Sequence, residues 1–223
     1  MINKTLRKLV RGDVKWNPAN FFRNKRSKFF ISLLGKNADK NLRVLDIGGT
    51  DYFWETIEIN HRKHWKITLL NSEKIDRQND DFKYLLGDAL DLSNLCFDDY
   101  DLIFSNSVIE HVGGMDEQRQ FANQILFLNK PFFIQTPNYY FPFEPHFLFL
   151  GFQFLPIKFR AWLIRHFDLG WYKKELDYKK SLLLASSIHL LKFKELQSLF
   201  PKCNIYKEKF LFMTKSFVVY RGF

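Results

Sequence analysis

Five short apolar runs, each closed by a polar residue or glycine, constrain this chain more than any other feature. They are Arg43 to Ile47, Trp65 to Leu70, Phe82 to Leu86, Tyr100 to Phe104 and Phe132 to Gln135. Short apolar runs between turn signals suit strands buried on both faces. Helical texture separates several of them, at 51–61 behind a Thr50 or Asp51 cap, and at 115–129, where Phe121, Ile125 and Leu128 share a side. Strands alternating with crossovers give a mainly parallel sheet with helices on both faces. Helical texture returns at 191–200, and two strand candidates follow at 203–212 and 215–221. The expected fold is α/β: a doubly wound, mainly parallel seven-stranded sheet, with the last two strands as a hairpin and an antiparallel C-terminal strand at the edge.

Around this frame the composition is uneven. The chain has 223 residues, which suits one domain at 43–223 preceded by a basic N-terminal arm and amphipathic helix at 1–42. Residues 1–43 hold twelve Lys/Arg against Asp13 and Asp39, so the whole formal charge of +10 sits there and the remaining 22 basic and 22 acidic residues balance. Such an arm favours an anionic partner, or is a solvated helical face. Phe22, Phe29, Phe30, Leu33 and Leu34 recur at helical spacing, so 19–35 is expected to pack on the domain, with Arg23 and Arg26 flanking that face. After Asn138 the α/β pattern breaks, and 139–180, rich in Phe, Pro, Trp and basic groups, reads as an insertion. Two cysteines, Cys96 and Cys203, form no CxxC and no Cys/His cluster, which argues against a disulfide scaffold and a structural zinc site and for a reducing, cytoplasmic setting. The basic start lacks the apolar stretch of a secretory signal, and the longest apolar run, Phe147 to Ile157, is short of the roughly 20 residues that span a bilayer.

In an open α/β sheet, ligands bind beyond the carboxyl ends of the strands. Polar residues gather at those ends in order along the chain: Asp46 with Gly48-Gly49, then Asn71, Asp88, Ser105-Asn106, and Thr136 with Asn138. Glycine in the first loop lets backbone approach a ligand closely. A dinucleotide site would need GxGxxG, but the stretch is Gly48-Gly49-Thr50-Asp51-Tyr52-Phe53, and Asp51 would oppose a phosphate. A nicotinamide cofactor therefore fits poorly. A cofactor with an amino-acid moiety fits better, its ammonium near Asp46 and its ribose hydroxyls at the second strand end.

Val44-Leu45-Asp46-Ile47-Gly48-Gly49-Thr50 resembles motif I of the class I S-adenosylmethionine-dependent methyltransferases. Tyr100 through Val112 resembles the fourth-strand motif of their type 11 group. Gln135-Thr136-Pro137-Asn138, the following Phe141 to His146, and Thr214 to Val219 resemble a bacterial subgroup of it. The resemblance covers about residues 40–223. It implies S-adenosyl-L-methionine as cofactor, with Gly48 and Gly49 under the methionine part, Thr50 in the same loop and Asp46 beside it. It implies Asp88 with Ala89 at the adenine, and Ser105 and Asn106 on the methionine side. Asn71 stands where the family usually carries an acid for the ribose hydroxyls, and an amide loses that charge-assisted bond. Thr50 and Tyr52 stand where the common motif has glycines, which makes the loop bulkier.

Three residues are candidates for acid–base chemistry. His111 titrates near neutrality, and alternatively braces the fourth-strand loop. Glu144 and His146 flank Pro145, and such a pair can take the proton of a substrate hydroxyl. Methyl transfer from a sulfonium otherwise depends chiefly on alignment, and no metal site is apparent in the sequence. The resulting expectation is an enzyme moving a methyl group to an oxygen of a small-molecule, sugar or glycan acceptor. The aromatic and basic stretch 139–171 is either a cover over the site or a peripheral membrane contact; nucleic acid is not expected. A methyltransferase acting on RNA or lipid, and a non-catalytic cofactor-fold scaffold, stand as alternatives.

Overall fold

The structure is a computed structural model and describes residues 18–56, 64–73 and 79–223. Residues 57–61 of the helix expected at 51–61, and the first seventeen residues of the basic arm, lie outside the described residues. The elements in chain order are α1 (Pro18–Leu34), β1 (Arg43–Ile47), α2 (Asp51–Thr56), β2 (Lys66–Asn71), β3 (Phe82–Leu86), β4 (Leu102–Asn106), α3 (Met115–Phe127) and β5 (Phe132–Pro137). The insertion supplies a two-stranded hairpin, β6 (Phe143–Glu144) and β7 (Phe149–Leu150), then α4 (Ile157–His166) and α5 (Tyr178–Ser186). α6 (Phe193–Leu199), β8 (Asn204–Phe210) and β9 (Met213–Arg221) close the chain.

Seven strands form one sheet in the order β3-β2-β1-β4-β5-β9-β8. β1 pairs in parallel with β2 and β4, and β5 continues the parallel set beside β4. β9 runs antiparallel to both β5 and β8, so the terminal hairpin makes this edge and its last strand lies on the inner side. The strand order reverses between β1 and β4, which opens a crevice beyond their carboxyl ends.

The period of two along each strand sorts the core into two layers. Val44, Leu102, Phe104, Phe133 and Val218 face α1 and α2, where they meet Phe30, Leu34 and Trp54. Leu45, Ile103, Phe132, Ile134, Phe217 and Val219 face the other way, onto Phe121, Ile125, Leu196 and Phe200 of α3 and the α6 region. Much of the chain's aromatic excess sits in the first layer. Phe104 stacks on Phe133 at 5.4 Å, and Phe30 meets both edge-on. Removing such a ring from a packed core costs about 3–5 kcal/mol.

β4 begins at Leu102 rather than Tyr100. Asp101 is diverted into a bidentate contact with the Arg43 guanidinium and also accepts the Arg43 backbone N–H. α6 starts at Phe193 because Glu195 reaches back to accept the Lys192 N–H at 2.8 Å, fixing the first turn. The insertion and the C-terminal half of α5 share a small core of their own, built on Phe147, Phe152, Ala161, Ile164 and Ala185.

Candidate functional site

The first loop shows why two glycines stand after β1. Gly48 has φ +73°, and a Cβ there would come within 2.5 Å of Val108. Its N–H donates to Leu70 O at 2.7 Å, tying the loop to β2. Gly49 lies over the Asp46 carboxylate: a Cβ would stand 1.8 Å from Oδ2. Asp46 is buried beneath the loop and accepts the Trp54 Nε1–H at 2.7 Å through Oδ2, while Oδ1 is buried without a hydrogen-bond partner. Burial pushes its pKa up to about 8, and the Trp54 bond only partly opposes this.

The remaining expected residues take distinct places around the crevice. Thr50 Oγ1 accepts the Phe53 N–H, so it caps α2. Asn71 Nδ2 donates to Gly49 O at 2.8 Å, which braces the glycine loop from the end of β2. Asp88 is exposed after β3 and accepts the Leu90 N–H, while Ala89 is half-buried beside it. Ser105 is fully buried, its hydroxyl donating to Ile47 O at 3.0 Å, which ties β4 to the end of β1. Asn106 turns its Oδ1 to Arg26 of α1.

Beyond β4 and β5 opens a cavity of about 340 Å³ whose walls include Phe22, Phe143 and Trp171, with Arg23, Arg26, Asn138, His146 and Lys215 as polar groups. Its residues come from α1, the strand ends, the insertion and the last hairpin. A second cavity of about 320 Å³ lies at the amino-terminal rim, near Leu33, Lys40 and Pro131. The strand-end rule assigns the chemistry to the first.

Behind the carboxyl-end cavity, Arg26 bridges to Glu208 at 2.9 Å, and Glu208 also accepts the Ser216 hydroxyl and lies 3.5 Å from Lys215 Nζ. Burial, with Arg26 close by, lowers Lys215 to about 8 despite Glu208. Ser107, just past β4, has φ +58°, and its hydroxyl hydrogen-bonds Gln135 Oε1.

The three acid–base candidates meet one another although 35 residues separate the two histidines, and His146 carries the cluster to the wall of this cavity. His111 Nε2 and His146 Nε2 are 3.0 Å apart, and His146 Nδ1 lies 2.6 Å from Glu144 Oε1. Glu144 is itself fixed, its Oε2 accepting the N–H groups of His146 and Phe147. Glu110, which sequence reasoning passed over, is fully buried against them: Oε2 accepts the Thr136 hydroxyl and Oε1 is 3.8 Å from His146 Nε2. Burial would lower the His146 pKa, but the Glu144 bond and the two carboxylates outweigh it and raise the value. Burial and the neighbouring His146 push His111 down to about 4.

No family model and no curated protein matches the sequence. Among solved structures, the chain superposes on magnesium protoporphyrin IX methyltransferase (ChlM) from Synechocystis, solved with bound S-adenosylhomocysteine. The TM-score is 0.52 at 10% identity, covering 99% of this chain and 96% of that one. The fold is that of the class I methyltransferases. The CurJ carbon methyltransferase aligns with the same TM-score at 12% identity, over 89% of this chain and 53% of that one. An exported-protein candidate from Bordetella parapertussis aligns with TM-score 0.52 at 9% identity, over 88% of this chain and 67% of its own. This chain thus spans little more than half the length of some of the chains it matches, 56% in the case of a Nostoc punctiforme O-methyltransferase candidate. In the methyltransferase fold described above, the Gly48-Gly49 loop lies at the switch point between β1 and β4.

The residues missed at the level of sequence are the buried Trp54, Glu110 and Glu208, and the half-buried Lys215 beside Glu208. Only Glu110 carried a signal, its position next to His111.

Proposed function

We propose that this protein is an S-adenosylmethionine-dependent methyltransferase that moves a methyl group to an oxygen of a small-molecule, sugar or glycan acceptor. One observation carries the reading: a bare glycine loop at the switch point lies over a buried carboxylate whose Oδ1 is without a partner. An amino-acid ammonium fits that donor-hungry atom, and backbone without Cβ atoms fits close approach by the methionine chain. Asn71 has committed its amide N–H to Gly49, which leaves Oδ1 to accept a ribose hydroxyl. Asp88 and Ala89 border the place for the base, and the backbone of Ser105 and Asn106 borders the methionine side.

Bound there, the cofactor supplies a sulfonium-activated methyl group. The protein's part is alignment of acceptor and methyl, which accounts for much of the rate in such transfers. Arg23 and Lys215 make the acceptor cavity electropositive, and Phe22, Phe143 and Trp171 give it apolar walls. An acceptor with an apolar portion and a negative group matches both. His146, held by Glu144 at the cavity wall, is the group beside which an acceptor hydroxyl would lose its proton.

A lipid-linked acceptor is supported by a separate observation. Phe159 and Trp162 of α4 are stacked at 5.5 Å and stay exposed, with Phe167 against Trp162 and Phe154 also exposed. Lys158 and Arg165 accompany them, the composition of a surface that docks on anionic lipid from the cytoplasmic side. Among the described residues no helix is long and apolar enough to cross a membrane.

Calorimetric titration with S-adenosylmethionine and S-adenosylhomocysteine tests the proposal, using the wild type and Gly48→Val. Micromolar binding lost in a folded variant supports it. Absence of binding at millimolar ligand overturns it.

A further inference from the structure

Three ligating groups from two separate segments converge beside the cavity that His146 lines. Glu110 and His111 follow β4, and His146 comes from the β6–β7 hairpin. One ligand atom from each lies within 4.8 Å of the other two. The two imidazoles present Nε2 to Nε2 at 3.0 Å. Two nitrogens each about 2.1 Å from one ion, at a right angle, stand about 3.0 Å apart.

The second observation is independent of the histidines. Glu110 Oε1 is buried and without a hydrogen-bond partner, and it lies 3.8 Å from His146 Nε2. A buried carboxylate oxygen left unpaired is expensive, and a cation is the partner that offsets it best. Its sister oxygen is occupied by the Thr136 hydroxyl, which fixes the direction of the free one.

The surrounding shell also has the form a metal site needs. Glu144 Oε1 takes the Nδ1 side of His146 at 2.6 Å, which leaves the Nε2 lone pair directed inward. Ligating histidines commonly carry such a carboxylate on the other ring nitrogen. Two backbone N–H groups hold Glu144 in turn. Because His146 borders the cavity, coordination positions not filled by protein would open toward the acceptor.

We propose that Glu110, His111 and His146 bind a divalent first-row transition-metal ion, with Glu144 as the positioning residue for His146. Two imidazoles and one carboxylate suit zinc or iron(II) better than magnesium or calcium, which prefer all-oxygen sets. Given the methyl-transfer reading above, the ion's use is to bind the acceptor oxygen and favour its deprotonated form; the binding itself does not depend on that reading.

The test is titration of the chelator-stripped full chain with Zn²⁺, with Co²⁺ as the spectroscopic probe. One equivalent is expected to bind, with visible Co²⁺ absorption that grows with added ion and saturates at that equivalent. His111→Gln, on the exposed side, is expected to lose binding by 100-fold or more, and Glu110→Gln similarly, with the Thr136 contact retained. Glu144→Gln should weaken binding roughly 10–100-fold. S-adenosylhomocysteine titration of the same samples keeps the two readings separate. Metal binding without cofactor binding leaves the metal site standing and removes methyl transfer. Cofactor binding with no stoichiometric Zn²⁺ or Co²⁺, or with Zn²⁺ affinity unchanged in folded His111→Gln, overturns the metal site and leaves His146 itself as the proton acceptor.

Discussion

Arg26 and Glu208 form a buried ion pair at 2.9 Å across 182 residues of sequence. The guanidinium also reaches Asn106 at the end of β4, so α1 is anchored to the lining of the carboxyl-end cavity as well as to the core. Breaking one side of such a pair leaves a buried charge alone and costs about 3–5 kcal/mol. Arg26→Met is expected to lose that much in urea denaturation. The pH sign follows from Glu208. Burial raises its pKa, but Arg26 and Lys215 together hold it below the usual carboxylate value. Its contribution is therefore complete above the ordinary carboxylate pKa and is lost as acid carries pH through the lowered one. In Arg26→Met Glu208 is no longer held so low, so the loss of stability on acidification should shrink, and an unchanged acid limb would remove the pair's role.

Gly49 and Asp46 provide a test of the cofactor loop. A methyl group at 49 would sit 1.8 Å from Asp46 Oδ2 and 2.1 Å from its Cγ, so Asp46 must leave Trp54. Gly49→Ala should destabilise the fold by about 1–3 kcal/mol and abolish S-adenosylhomocysteine binding. Adding Asp46→Ala removes the atoms that clash. The double variant should then be more stable than the sum of the single costs by about 0.5–3 kcal/mol. Strict additivity in denaturation would mean that the contact does not matter.

Asp46 also sets a pH signature opposite to that of Glu208. Its pKa is raised to about 8 by burial, so the native state holds a proton that the unfolded chain releases near the ordinary carboxylate value. Stability from this group is present at low pH and drains away as pH climbs toward about 8. Asp46→Asn lacks that drain. Between about pH 5 and about pH 8 the wild type should lose roughly 3–4 kcal/mol relative to the variant. Cofactor binding should reverse the bias, because an ammonium beside Oδ1 favours the carboxylate. Titrations near pH 7 in buffers of different ionisation enthalpy should reveal release of a proton in the wild type and none in Asp46→Asn.

The sheet was legible because each strand is a run of apolar residues ended by a polar one, and burial on both faces enforces that pattern locally. Gly48 and Gly49 were legible as a bare loop, and the structure shows what keeps it bare: a positive φ at Gly48 and the close approach of Gly49 to Asp46. The histidine corner was legible as single residues and not as a cluster. Folding of the 139–180 insertion brings His146 to His111, and no local periodicity encodes that approach. Glu110 and Glu208 were silent because a buried carboxylate looks like a surface one until its partners are known. The sequence places Arg26 beside the packing face of the first helix, but only the position of β8 shows that its charge is neutralised inside the protein.

Trp162 and Phe159 carry the last prediction. Their stacked rings remain 44% and 46% exposed on α4, next to Lys158 and Arg165, in an element whose other side packs Ala161, Leu163 and Ile164 into the insertion core. Polar replacement therefore removes apolar surface from solvent without touching the core. Phe159→Ser with Trp162→Ser should leave urea stability within about 0.5 kcal/mol, as for surface sites generally. It should leave S-adenosylhomocysteine affinity unchanged, because neither ring reaches the Gly48-Gly49 loop. The vesicle partition constant read by flotation with anionic lipid should fall by about 100-fold or more, since each ring contributes on the order of 1.5–3 kcal/mol when it enters the acyl boundary. Equal flotation of wild type and variant would reduce this face to a cover over the site and return the acceptor to the soluble small molecules.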